Sequence, residues 1–101
     1  MKLLIVTVVK EFEKEVLRLF KEARIDNFSG SEIDGYKNTD SLATNSSWFP
    51  SDKGGVESYL FFSFTEEGKI NTLFELIKEF NKALEINNPI KAVVVPIEKS
   101  I

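Results

Sequence analysis

The chain has no cysteine and no histidine. Disulfides, thiol nucleophiles, Cys/His zinc sites and any mechanism built on an imidazole base are thereby excluded. Met1 is the only methionine, so a soft metal finds almost no ligand, while a hard cation held by carboxylates stays open. Arginine is scarce as well, with only Arg18 and Arg24. The 13 basic residues are outnumbered by 16 acidic ones, and the net charge of -3 leaves no electrostatic footprint for nucleic acid. No apolar run is long enough to span a bilayer. The longest, Leu3 to Val9, is followed by charged EFEKEV where a signal peptide would have small residues. It reads as a buried strand in a cytoplasmic protein without direct membrane insertion. What remains is ordinary. At 101 residues, 43% hydrophobic and 29% charged, the chain is expected to form one domain over residues 1–101, with a two-layer core.

Periodicity supplies the elements. LLIVTVV (Leu3 to Val9) is short, continuous and β-branched, as expected of a strand apolar on both sides. In EFEKEVLRLFKEAR, Phe12, Val16, Phe20 and Ala23 recur at helical spacing, with Leu17 and Leu19 broadening the stripe, and the charges between them form a solvated face. Asp26 and Asn27 make a turn. FSGSEIDGY (Phe28 to Tyr36), polar and glycine-bearing, suits an edge strand. VESYLFFSF (Val56 to Phe64) is a strong strand, with Val56, Leu60, Phe62 and Phe64 on one side and Tyr59 and Phe61 on the other. Thr65 is placed to cap a second helix carrying Ile70, Leu73, Phe74, Ile77, Phe80 and Leu84, which Asn87 to Pro89 ends. AVVVPI (Ala92 to Ile97) is the last strand, and Pro96 fits an edge or a strand end. The order β-α-β-β-α-β predicts an α+β, ferredoxin-like fold: a four-stranded antiparallel sheet in the order 4-1-3-2, with both helices on one face.

Helices on one face leave the other bare, and a wet antiparallel face should be polar on every second residue. Here Leu4, Val6 and Val8 back onto Leu3, Ile5 and Val9, and Val93, Val95 and Ile97 back onto Ala92 and Val94. Whichever set meets the helices, roughly six large apolar side chains are left over, at about 1.5 kcal/mol or more each if buried. A patch of that size marks an interface, so the chain is expected to be a homo-oligomer packed through its sheets; the alternative is that the long loop folds back and covers the sheet within one chain.

The chain resembles the PII-like signalling proteins, relatives of the nitrogen-regulatory PII family. The residues that carry the resemblance are the step Glu32-Ile33-Asp34-Gly35-Tyr36 at the end of the second strand, the long loop after it, and the Val94 to Glu98 ending. The resemblance implies a homotrimer with sheets around a central axis, clefts between subunits that bind adenine nucleotides, and a long loop that docks on a transporter or metabolic enzyme. On it, the ligand-binding residues would be Gly35, Tyr36, Lys37, Asn38, Asn88 and Lys91. The member is divergent. Where the family has a Gly-rich, Lys-bearing nucleotide loop, EINNPIK (Glu85 to Lys91) has no glycine, and Lys91 is its one cation.

The loop itself, about residues 37–55, is too long to be a mere connection. It holds the only Trp, in Trp48-Phe49-Pro50, which is either a partner-contact anchor or a side chain that tucks against its own sheet edge or a sister subunit. Gly54-Gly55 gives it a hinge or a tight return. No enzyme is expected. Glu11, Glu13 and Glu15 occupy the first turn, where a small phosphatase of this fold would need an arginine-bearing anion cradle. The functional expectation is a trimeric PII-like sensor. The alternative is a CutA-like oligomeric ion- or stress-tolerance protein without nucleotide binding.

Overall fold

A computed structural model of the protein describes residues 1–36, 55–84 and 88–101. Lys37, Asn38, Trp48, Phe49 and Pro50, and with them the partner-contact reading of the loop, lie outside the described residues. The elements are β1 (Lys2–Val9), a single 3-10 turn (Lys10–Phe12), α1 (Glu13–Glu22), β2 (Ser29–Gly35), β3 (Val56–Thr65), α2 (Glu67–Ala83) and β4 (Lys91–Pro96). The sheet runs β2-β3-β1-β4 and is antiparallel throughout, which is the expected order read from its other edge. The most apolar strand, β1, is central, and the polar β2 lies at an edge, as burial requires.

Register decides which half of each strand meets the helices. Leu4, Val6 and Val8 of β1 stand opposite Ser63, Phe61 and Tyr59 of β3, and Leu4 and Val6 stand opposite Val94 and Ala92 of β4. All of these but Ser63 join Val16, Leu19 and Phe20 of α1 and Ile70, Leu73 and Ile77 of α2 in one core. Phe61 is wedged among aromatic neighbours, with ring centroids 5.7 Å from Phe20, 5.9 Å from Phe28 and 6.0 Å from Tyr59. Across from it on β2 is Gly30, where a Cβ would lie 2.7 Å from Phe61 Cε1. The ring therefore lies where any other residue would put its side chain.

Two local expectations are corrected. Leu17 does not broaden the α1 stripe; it is exposed, because the stripe is centred on Val16, Leu19 and Phe20. Thr65 does not cap α2. It is the buried last residue of β3, and Glu66 takes the cap position without a side-chain cap hydrogen bond. The end of α1 shows what no glycine announced. The Ile25 N–H reaches Phe20 O at 2.9 Å and the Arg24 N–H reaches Lys21 O at 3.0 Å, with Arg24 at φ 61°. This is a Schellman closure with arginine in the left-handed position that usually goes to glycine.

The other side of the sheet carries Leu3, Ile5, Phe62, Phe64, Val93 and Val95, paired with one another across β1, β3 and β4. Phe62, Phe64 and Val95 are 38, 54 and 40% exposed. Toward the other end of the same side, Thr7, Val9 and Ser58 are buried. The apolar patch thus occupies the half of the sheet where β1 starts and β3 ends. Among the described residues, no helix is long and apolar enough to cross a membrane.

Candidate functional site

The end of the sheet that bears the long loop is formed by the last residues of β1 and β2 and the first of β3 and β4. Gly35, the last residue of β2, is buried and stands opposite Val56. Tyr36 follows it and is 64% exposed. Its ring lies against Gly55, the first described residue on the far side of the loop. A Cβ on Gly55 would be 2.7 Å from Tyr36 Cε1, and the residue has φ 92°, a conformation that L side chains rarely adopt. The positive φ favours a glycine here, and the exposed Tyr36 ring lies over it at the neck of the loop.

The second group of expected site residues stands on the opposite edge. Lys91 opens β4 opposite Thr7, on the same side of the sheet as the apolar patch, and Asn88 lies just before it, half-buried. Across the order β2-β3-β1-β4, Lys91 and Gly35 are three strand spacings apart. Gly35 also lies four residues further along, since Lys91 aligns through Thr7 and Leu60 with Ser31. At ~4.8 Å between strands and ~3.3 Å per residue, that separates the two groups by roughly 20 Å. A single chain does not bring its own Gly35–Tyr36 and Asn88–Lys91 onto one small ligand.

What this end of the sheet does bring together is a groove of about 340 Å³ lined by Lys10, Glu32, Ile33, Asp34, Glu57, Ser58 and Tyr59. Tyr59 donates its hydroxyl to Glu32 Oε1 at 3.1 Å, and Lys10 Nζ lies 3.4 Å from Glu57 Oε2. The Tyr59 phenol is held above its ordinary range, first by the hydrogen bond to Glu32 and then by desolvation and the nearby Glu13 charge. The Lys10 ammonium is also raised, first by the Glu57 charge and its hydrogen bond, with Glu32 and Tyr59 adding to it. With three carboxylates against one lysine already paired, the groove repels phosphate and is no nucleotide cradle. Among the described residues, no cluster of three or more carboxylates could hold a metal ion. Sequence reasoning missed this groove. Its only signal is the two-residue alternation that puts Glu32, Asp34, Glu57 and Tyr59 on one face, and that signal needs the β2–β3 register to become a site.

No protein-family model matches the sequence, and no curated protein does. Among solved structures the chain is similar to CPII, a nitrogen regulatory PII-like protein from Thiomonas intermedia K12, solved bound to ADP, AMP and bicarbonate. The likeness has a TM-score of 0.63 at 12% identity and covers 99% of this chain and 94% of that one. From its first strand to its last, the chain has the fold of that PII-like protein.

Proposed function

We propose that the chain is a PII-like regulatory protein. It works as a homotrimer packed through the bare halves of its sheets, and it takes a small anionic effector of the adenine-nucleotide class in clefts between protomers. Gly35, Tyr36, Lys37 and Asn38 of one protomer and Asn88 and Lys91 form the arms of the cleft. Binding shifts the 37–55 loop between states that differ in effector affinity, and the loop, through Trp48, Phe49 and Pro50, docks on a transporter or metabolic enzyme. The role is regulatory, and no catalytic step is assigned to it.

The observation that carries this reading is the fold shared, over practically the whole chain, with a regulatory protein solved with ADP and AMP. Two features of the protomer support it. A broad apolar patch faces away from the helices, and burying it in a partner is favourable. The two candidate arms are too far apart in one chain to serve one ligand, as an arrangement between chains requires.

The test pairs two measurements. Light scattering at micromolar concentration should give the mass of three polypeptides, and Trp48 fluorescence should respond to ADP, AMP or ATP. A single-chain mass overturns the reading. A response to divalent cations alone turns it toward the CutA-like ion-tolerance role.

A further inference from the structure

Ile90, between Asn88 and Lys91, is held by a side-chain contact from α2. Asn81 lies in the last turn of α2, nine residues before Ile90. Its Oδ1 accepts the Ile90 N–H at 2.8 Å, and its Nδ2 donates to Ile90 O at 3.0 Å. An antiparallel neighbour exchanges the same two bonds with the residue it faces, so one side-chain amide here takes the place of a strand. Only a side chain with a donor and an acceptor in one planar fork can do this, which limits the position to an amide. The Ile90 side chain is meanwhile 2% exposed in the core. Its backbone and side chain are thus pinned at once, immediately before β4.

We infer that Asn81 is the positioning residue of the effector cleft: by clamping Ile90 to the end of α2 it sets the placement of Asn88 and Lys91 on either side. This rests on the proposed effector site and adds to it a residue that touches no ligand. A clamp made before the ligand arrives lowers the ordering entropy that binding must overcome. It also joins the cleft mechanically to α2, which packs in the core beside α1.

The experiment compares the full-length protein with Asn81→Ala and Asn81→Asp. It measures amide hydrogen exchange at Ile90 and affinity for ADP and AMP, with assembly mass and circular dichroism as controls. Asn81→Ala should speed exchange at Ile90 about tenfold or more, since both bonds are lost. It should weaken ADP or AMP binding by a similar factor, with mass and secondary structure kept. Asn81→Asp retains the acceptor for the Ile90 N–H and loses the donor, so its exchange should fall between the two. That variant still decides the matter if the alanine variant does not fold. Unchanged exchange at Ile90 overturns the clamp. Faster exchange with unchanged affinity overturns the positioning role and leaves the effector site standing. If the unaltered protein binds neither ADP nor AMP, the effector reading itself fails and takes the positioning role with it.

Discussion

The two sides of the sheet are built from the same strands and are almost equally apolar, yet they end in different states. Leu4, Val6 and Phe61 are 0, 0 and 4% exposed beneath the helices. One residue along the same strands, Phe62 and Phe64 stand in the open. The side chains are of one kind, so hydrophobicity alone does not set their environment. What differs is the cover: α1 and α2 supply it on one side, and on the patch the described residues do not. Assembly through this side, as proposed, would supply the missing cover.

The comparison breaks most sharply at its covered side. Phe61→Ala removes the ring shared by Phe20, Phe28 and Tyr59 and should cost about 3–5 kcal/mol, read as a lowered denaturant midpoint. The equivalent change on the open side should act on assembly instead of on the fold. Phe62→Glu combined with Phe64→Glu should reduce the scattering mass to one polypeptide while the circular dichroism spectrum stays native. If that variant keeps the full mass, the patch is not the interface. Gly30→Ala adds one methyl to the covered side, against a ring that its packed neighbours prevent from yielding. It should cost about 1–3 kcal/mol. Ser31→Ala, one residue away on the other side of β2, should be close to neutral.

The smallest effect belongs to the groove at the rim. Both Tyr59 and Lys10 are raised on folding, so whatever stability they add is fully present below their ordinary values of 10.0 and 10.5. It is lost only as pH rises past them. Thermal midpoints should therefore show no loss from this pair between neutral pH and 10.0 and a decline above it. Glu32→Gln should bring the Tyr59 titration down toward 10.0, followed by phenolate absorbance in a Tyr36→Phe background.

Helix faces were legible because they rest on periodicity, which is strong here, and strand order was legible from the β-α-β-β-α-β succession. Phe12, Val16, Phe20 and Ile70, Leu73, Ile77 could hardly point elsewhere. Details set by a single backbone angle or a single contact were not legible. Arg24 in a left-handed conformation has no glycine to betray it, and Leu17 lies one helical step beyond the buried stripe. Thr65 has the chemistry of a cap but is drawn into the sheet by pairing with Lys2. The candidate site shows the same limit. Glu32 opposite Tyr59 follows from the β2–β3 register, and a connection as long as residues 36–55 does not fix register as a tight hairpin would. The Asn81 clamp joins residues on either side of a helix end, a meeting that no spacing rule anticipates.

The rims of the sheet have a consequence for how copies can add. One outer strand is polar and glycine-bearing, and the other finishes at Pro96, which has no amide hydrogen to offer a newcomer. Growth by stitching sheet to sheet is poorly served at either margin, while the oily broad side invites contact. In the proposed homo-oligomer, joining through the broad side and not the margins would favour a closed cluster of few members over a fibre that lengthens without limit.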